Sequence, residues 1–153
     1  MAKVLFLLLS AAALAHAANI KDCGSKDATV DFANLVVTGC TSSSVPCIFE
    51  KGKEASISLP FTPKFQVRRV RAQVHGVIHG VAIPFKLNNA NGCVGSGLQC
   101  PLNAGQEYTY TARLPVRSIY PSISLDVKWE LLDERSKPLV CILIPVQLKE
   151  NTA

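Results

Sequence analysis

The sequence predicts an all-β fold, an immunoglobulin-like antiparallel β-sandwich of about seven strands held by three disulfides. Apolar and polar residues alternate in several runs, clusters of turn-forming residues separate the runs, and the cysteines number six. No window after residue 17 has apolar residues at the i, i+3, i+4 and i+7 spacing of an amphipathic helix. We therefore expect one β domain over residues 18–153, long enough to bury its own core.

The first residues have the pattern of a secretory signal peptide over residues 1–17. Lys3 precedes the apolar run Val4–Leu9, and small residues follow up to Ala17. The apolar stretch is shorter than the roughly 20 residues that span a bilayer. We expect the mature protein to be soluble and secreted.

Three runs alternate as strands with one buried and one exposed face do. They lie within Ser56–Phe61, Gln106–Leu114 and Ser122–Leu131. Their inward sets are Ile57, Leu59 and Phe61; Tyr108, Tyr110, Ala112 and Leu114; and Ile123, Leu125, Val127, Trp129 and Leu131.

Two further runs depart from simple alternation. In Lys64–His75 the apolar phase slips at Arg68 and Arg69, which predicts a β-bulge there. Leu139–Leu148 is apolar on both faces, which predicts a strand buried on two sides, with Pro145 at an unpaired position.

An even number of cysteines in an exported chain indicates a disulfide framework, for which six cysteines allow 15 pairings. Two pairs lie close together in the chain and the other two cysteines lie near its ends. This spacing favours the pairs Cys40–Cys47, Cys93–Cys100 and Cys23–Cys141. A metal site at Cys93 and Cys100 is the alternative, but neither belongs to a Cys-x-x-Cys motif.

The net charge is +5, or +4 once Lys3 is removed with the signal peptide. The most closely spaced basic residues are Arg68, Arg69 and Arg71. These residues either lie on a solvated strand face or attract the protein weakly to anionic membrane surfaces. Nucleic-acid binding would need a wider basic stripe with exposed aromatic residues, so we expect no nucleic-acid partner.

The residues offer no catalytic or metal-binding pattern, and we expect no enzyme activity, metal or cofactor. His75 and His79 lie in an apparently extended stretch, about 13 Å apart, too far to share a metal. Each precedes a glycine, which indicates close backbone packing or a turn. Ser96, between two glycines, lacks the strand-to-helix context of a nucleophile elbow.

Prolines interrupt the apolar faces at the ends of predicted strands, in Ile83-Pro84-Phe85, Leu114-Pro115-Val116 and Ile119-Tyr120-Pro121. Because proline restricts ladder pairing, the sheets could separate there and leave apolar side chains around a cavity. From the residues alone, a filled core and a ligand cavity both remain open.

The chain resembles the ML (MD-2-related lipid-recognition) domain family, in particular the soluble Niemann-Pick type C sterol-transfer proteins and their arthropod members. The resemblance covers essentially the whole mature chain. It is carried, in order and spacing, by Ile20–Ser25, Val74-His75-Gly76, Ile83-Pro84-Phe85, Gly92–Pro101, Tyr108-x-Tyr110, Leu114–Ile123, Trp129-x-Leu131-x-Asp133 and Cys141-x-x-Ile144-Pro145-Val146.

This resemblance implies the same three disulfides and a carrier that holds a cholesterol-like sterol between its sheets. It also implies delivery to membranes or a membrane-protein acceptor, outside the cell or in the late endosome or lysosome, by a protein that we expect to be a monomer. The alternative is a carrier or recognition module for fatty acids, semiochemicals or bacterial lipids.

The resemblance also assigns a ligand site whose residues are all apolar or aromatic. The mouth falls on Phe85, Val116 and Tyr120. The deeper lining falls on Ile83, Tyr110, Leu114, Pro115, Pro121, Ile123 and Trp129. Asn91 and Val94 stand where vertebrate sterol carriers have charges used in transfer, whereas Lys51 matches a lysine of the family.

Overall fold

The computed structural model describes residues 19–41 and 46–151, so the predicted signal peptide lies outside the described residues. These residues contain ten strands and no helix, and seven of the strands have four or more residues. The predicted all-β sandwich with three disulfides is confirmed. The strands are β1 (Lys21–Asp22), β2 (Ala28–Val30), β3 (Val36–Val37), β4 (Cys47–Glu50), β5 (Glu54–Pro63), β6 (Arg71–Ile78), β7 (Val81–Phe85), β8 (Tyr108–Pro115), β9 (Ser124–Leu132) and β10 (Pro138–Lys149).

The larger sheet has the order β7-β6-β9-β10, and β1 and β4 share the second edge of β10. The pairing of β4 with β10 is parallel and every other pair of described strands is antiparallel. Leu139–Ile142 is buried throughout, as the apolar run predicts, and beyond it every second residue is half-buried. Pro145 lies opposite Asp126 of β9 but falls in the gap between β1 and β4, so it is unpaired on one edge only.

The smaller sheet is built around β5, with β8 on one edge and both β2 and β3 on the other. Its register places Ile57 opposite Ala112 and Leu59 opposite Tyr110. The apolar members of these pairs lie on the inner face and join one core cluster with residues of the larger sheet. The alternation in the sequence thus corresponds to the inner and outer faces of a sandwich.

The predicted single strand over Lys64–His75, with a bulge at Arg68 and Arg69, is wrong. β5 ends at Pro63 and β6 begins at Arg71 in the other sheet. Between them, Val67 is fully buried in an isolated bridge to Leu102. The phase of the apolar residues slips because the chain crosses from one sheet to the other.

The two histidines have the structural role that their glycine neighbours indicate. His79 and Gly80 form the turn between β6 and β7, with φ angles of 49° and 77°. His79 therefore lies outside the strand that carries His75, and the extended spacing expected for the two residues does not hold. A glycine is favoured at position 80 because positive φ costs it nothing.

All three predicted disulfides are confirmed. Cys40–Cys47 and Cys93–Cys100 each have a sequence separation of 7, whereas Cys23–Cys141 has a separation of 118. The long-range bridge fastens the chain just after β1 to the middle of β10. The backbone N–H of Cys23 also donates to the carbonyl of Cys141 at 2.9 Å.

We predict that Cys23→Ala/Cys141→Ala lowers the free energy of unfolding by about 2 kcal/mol more than Cys93→Ala/Cys100→Ala does, because the longer loop restricts the unfolded chain more. Urea unfolding of the two variants measures the difference. Equal losses, or a larger loss for the short-loop pair, would contradict this account.

Candidate functional site

An apolar seam lies between the sheets, where the end of β8 faces the first half of β9. It encloses about 10 Å³. None of the side chains that line it carries a formal charge. They are Phe49, Phe85, Leu114, Pro115, Val116, Tyr120, Leu125, Val127 and Leu148. We call this set the seam.

Two aromatic rings close the mouth of the seam. Phe85 ends β7 and Tyr120 lies in the loop after β8, and their ring centroids are 5.2 Å apart with an interplanar angle of 57°. Both residues are half-buried, while Val116 between them and the core is only 4% exposed. Gly52 and Lys53 fix Val116 through backbone hydrogen bonds of 2.6 and 2.8 Å.

A glycine makes room for the Phe85 ring. Gly76 of β6 faces into the sandwich, and a Cβ atom there would lie 2.5 Å from Cε2 of Phe85 and 2.9 Å from Cδ1 of Leu125. Two seam residues therefore occupy the space that any other side chain would take. The close backbone packing expected at His75-Gly76 is confirmed.

The Tyr110–Trp129 pair lies farther along the inner faces of β8 and β9, the two strands that line the seam. Trp129 follows Leu125 and Val127 on the inner face of β9, and Tyr110 lies on the same face of β8 as Leu114. The two rings meet edge-on across the sheets at 6.2 Å, and both residues are buried. Burial raises the pKa of the Tyr110 phenol to about 12, opposed in part by the indole of Trp129. The indole Nε1 nevertheless forms no hydrogen bond of normal geometry within the described chain.

A buried lysine fastens the loop that carries Tyr120. Lys51 follows β4 and is 6% exposed; its Nζ donates to the backbone carbonyl of Tyr120 at 2.9 Å and lies 2.5 Å from Oε1 of Glu150. The hydrogen bond from Lys51 holds the pKa of Glu150 below its ordinary value. Lys51, which the family resemblance singles out, thus connects the mouth loop to the end of the chain.

The structure brings five of the ten residues assigned by resemblance into the seam: Phe85, Leu114, Pro115, Val116 and Tyr120. Tyr110 and Trp129 do not line the seam; they are buried farther along β8 and β9. Ile83 shares the inner face of β7 with Phe85 but is 46% exposed. Pro121 is exposed and Ile123 packs, half-buried, against the core.

Four seam residues have no signal in the sequence that assigns them to the site: Phe49, Leu125, Val127 and Leu148. Leu125 and Val127 were expected to point inward. The sequence pattern of an inward apolar residue is the same whether the residue packs in a filled core or lines a cavity. Phe49 and Leu148 lie on the neighbouring strands β4 and β10, in register opposite each other.

The prolines do not hold the sheets apart. Pro84 lies on the edge strand β7 opposite His75, and Pro115 is the last residue of β8, opposite Glu54. Pockets for small ligands usually enclose about 300 Å³ or more, far above the volume of the seam. A ligand can therefore enter only by displacing seam side chains.

The Ser96 hydroxyl, which lies between two glycines in the sequence, has a structural role. Ser96 is 2% exposed and its hydroxyl donates to the carbonyl of Gly92. Over 19–41 and 46–151, no three histidine, cysteine or acidic residues are grouped to hold a metal ion. The same ranges contain no helix of the length and hydropathy that crosses a membrane.

Two sheets that enclose an uncharged seam with an aromatic mouth, together with three disulfides, define a β-sandwich suited to binding apolar ligands. The family profile of the ML domain matches residues 17–148, and the chain belongs to this family. Because the family comprises lipid-binding proteins, the expectation that the chain is not an enzyme is confirmed.

Individual relatives match over nearly the full length. The chain is 37% identical to NPC intracellular cholesterol transporter 2 homolog a of Drosophila melanogaster, covering 94% of this chain and 98% of the relative. It is 40% identical to NPC intracellular cholesterol transporter 2 of Sus scrofa, covering 97% and 96%. The crystal structure of a Niemann-Pick type C2 protein from Japanese carpenter ant has a TM-score of 0.79 and 30% identity, covering 85% of this chain and 98% of that one.

Gly76→Ala should lower the free energy of unfolding by about 1–3 kcal/mol, because the added methyl group pushes against Phe85 and Leu125. Urea unfolding measures the loss. Adding Phe85→Leu to this variant removes the ring edge and should recover part of the stability. The prediction fails if the two substitutions are simply additive.

Lys51→Met should loosen the mouth loop, because the apolar stem is kept while the hydrogen bond to Tyr120 is lost. We expect faster amide hydrogen exchange over residues 117–123. Lys53→Met is the matched control, since Lys53 forms an exposed ion pair with Glu50. Equal exchange in the two variants would show that Lys51 does not fasten the loop.

The contact between Lys51 and Glu150 predicts a pH dependence of the mouth loop. Since the pKa of Glu150 is lowered in the folded state, its stabilising contact is complete above the ordinary value of 4.5 and is lost as the pH falls through the lowered pKa. Exchange over 117–123, corrected for intrinsic rates, should therefore rise on acidification in the wild type. In Glu150→Gln this rise should be absent, and a rise of the same size there would refute the assignment.

Proposed function

We propose that this protein binds a sterol between its two sheets, in the seam, and delivers it to membranes. The observation that carries the proposal is a continuous inter-sheet seam lined by nine side chains, none of them charged. Relatives with 37% and 40% identity over nearly the whole chain are named as cholesterol transporters, which supports the sterol class.

The physical chemistry of the seam suits a sterol, which is mostly apolar surface with one hydroxyl. Burying about 400 Å² of apolar surface at roughly 25 cal/mol per Å² contributes on the order of 10 kcal/mol before association costs. We propose that the aliphatic end enters first and approaches Tyr110 and Trp129. The hydroxyl then stays near Phe85 and Tyr120, where water can hydrogen-bond to it.

Entry requires the mouth rings to separate. Phe85 lies on an edge strand and Tyr120 in a loop, so both can move without breaking the central ladder of β9 and β10. The hydrogen bond from Lys51 to the Tyr120 carbonyl restrains the loop that carries Tyr120 but does not restrain Phe85. We propose that Phe85 swings outward first and that the sheets then spread around the ligand.

Delivery is proposed to occur at a membrane or at a membrane-protein acceptor. Apolar side chains near the mouth support this, because Val81, Ile83 and Ile119 are 61%, 46% and 76% exposed. Three disulfides support an oxidising compartment, either outside the cell or in the late endosome or lysosome.

Phe85→Asp should weaken sterol binding by at least about tenfold, because a carboxylate at the mouth must be desolvated when the ligand enters. Fluorescent-sterol titration measures the affinity. Ala82→Asp, on the opposite face of the same strand, is the control and should bind as the wild type does, since Ala82 is exposed. Unchanged affinity in a folded Phe85→Asp variant would refute the seam as the sterol site.

The ligand class is tested by extraction and mass spectrometry of lipid from the purified protein, together with competition against the fluorescent sterol. A bound sterol that fatty acid and lipopolysaccharide do not displace supports the proposal. Displacement by either competitor at lower concentration than unlabelled sterol would instead establish the broader lipid carrier. A protein that takes up no lipid would overturn both.

A further inference from the structure

A second concave site lies away from the seam. It is an open groove of about 490 Å³, whereas the seam is almost closed. Its walls come from the crossover before β6, the loop before Cys93 and the turn after β9. We call it the arginine cleft; it is lined by Arg68, Arg69, Val70, Arg71, Ala90, Asn91, Cys93, Cys100, Asp133, Glu134 and Ser136.

The guanidinium groups of the three arginines of the cleft form no ion pair. Within the described part of the chain, no guanidinium nitrogen of Arg68, Arg69 or Arg71 lies within 4.0 Å of a carboxylate oxygen. Arg71 makes only a 3.5 Å contact from Nη2 to the hydroxyl of Ser136. Three unpaired guanidinium groups therefore border one concavity.

The two carboxylates of the cleft are bound to backbone N–H groups. Oδ1 of Asp133 accepts from the N–H groups of Arg135 and Lys137 at 2.9 and 3.0 Å. Oε2 of Glu134 accepts the N–H of Arg68 at 3.2 Å. The pKa of Glu134 lies below its ordinary value, first through its own backbone N–H and then through those of Arg68 and Arg69. Both carboxylates thus hold loops in place and form no ion pair with Arg68, Arg69 or Arg71; the guanidinium nearest to Asp133 is that of Arg135, at 4.0 Å.

The backbone of the cleft is cross-braced before any ligand arrives. The N–H of Gly92 donates to the carbonyl of Val70 at 2.8 Å, and the N–H of Ala72 donates to the carbonyl of Ala90 at 2.8 Å. A Cβ at Gly92 would lie 2.7 Å from Cγ1 of Val70, so the two walls touch. The Cys93–Cys100 disulfide restrains the same wall. Pre-formed walls reduce the ordering cost of binding.

The cleft and the seam lie at opposite ends of β9. The seam contacts Leu125 and Val127, and Asp133 directly follows the last residue of the strand. Six residues of extended chain from Val127 to Asp133 span roughly 20 Å. A membrane surface docked on the arginines would therefore face away from the mouth of the seam, so a soluble ligand is favoured over a bilayer.

We propose that the arginine cleft binds the phosphate group of a small organic phosphate, independently of the lipid in the seam. Guanidinium groups pair with phosphate oxygens through two parallel hydrogen bonds, which gives both charge and geometry. Asn91 and Ser136 at the rim offer hydrogen bonds to hydroxyl groups of the same ligand. Arg68, Arg69 and Arg71, which are close neighbours in the sequence, thus line one concave site in the structure.

The test uses the purified protein with glycerol 3-phosphate and inorganic phosphate as probes, at low ionic strength because screening weakens exposed charges. Calorimetry should give saturable binding, and amide NMR shifts should be confined to residues 68–71, 90–93 and 134–136. Arg68→Gln/Arg69→Gln/Arg71→Gln should weaken binding at least about tenfold, through loss of charge-assisted hydrogen bonds. Its sterol affinity should not change.

Two control variants separate site binding from net charge. Lys21→Gln/Lys26→Gln/Lys149→Gln removes the same charge elsewhere and should bind the probes within about twofold of the wild type. Arg68→Lys/Arg69→Lys/Arg71→Lys keeps the charge but loses the planar forks, and should still bind several-fold more weakly. The proposal would be overturned if the wild type showed no saturable binding. It would also be overturned if the triple arginine-to-glutamine variant and the triple lysine-to-glutamine variant weakened probe binding equally.

Vesicles distinguish a free phosphate from a lipid headgroup. Flotation with phosphatidylglycerol vesicles, against phosphatidylcholine vesicles, should be the same for the wild type and the triple glutamine variant if the ligand is soluble. Loss of phosphatidylglycerol binding in that variant would identify the headgroup as the source of the phosphate. Together with saturable binding of glycerol 3-phosphate, unchanged flotation supports the soluble ligand. Loss of phosphatidylglycerol binding would leave a phosphate site but overturn the proposal of a soluble ligand.

Discussion

The pairing of β10 is the constraint on which the rest of the molecule depends. β9 lies along one edge of this strand, β1 and β4 share the other, and Cys141 binds it to Cys23. A shift of one residue would turn its buried set toward solvent and misplace all three neighbours. The same strand supplies Leu148 to the seam and precedes Glu150, the partner of Lys51. The position of the mouth therefore follows from the register of the strand that builds the core.

The fold was largely predictable because period-two alternation directly reports the faces of half-buried strands. Tyr110 and Leu114, and Val127 and Trp129, point inward as expected. The error at residues 64–75 has a physical reason. A bulge and a crossing between sheets both shift the apolar phase by one residue, and only long-range pairing, here of Val67 with Leu102, separates them. Strands of two or three residues, which take their order from tertiary pairing, leave no pattern to detect.

The site was less predictable than the fold. Its mouth at Phe85, Val116 and Tyr120 came from family resemblance, because an apolar residue in a filled core and one in a ligand seam have the same chemistry. The arginine cleft shows the same limit for charge. Arg68, Arg69 and Arg71 are visible in the sequence, but the absence of ion pairs at their guanidinium groups within the described chain depends on which backbone groups already hold Asp133 and Glu134.

A substitution at Gly76 can change ligand binding during evolution while every residue that lines the seam stays the same. The position contributes no side chain, yet the room it leaves is what the Phe85 ring fills. Within a lineage, a single exchange there could retune the range of cargo, or end cargo carriage, while the lining itself stayed identical. A comparison of relatives that considers only the residues lining the seam would miss such a change. The capacity to carry cargo is therefore better compared when position 76 is included with the lining residues.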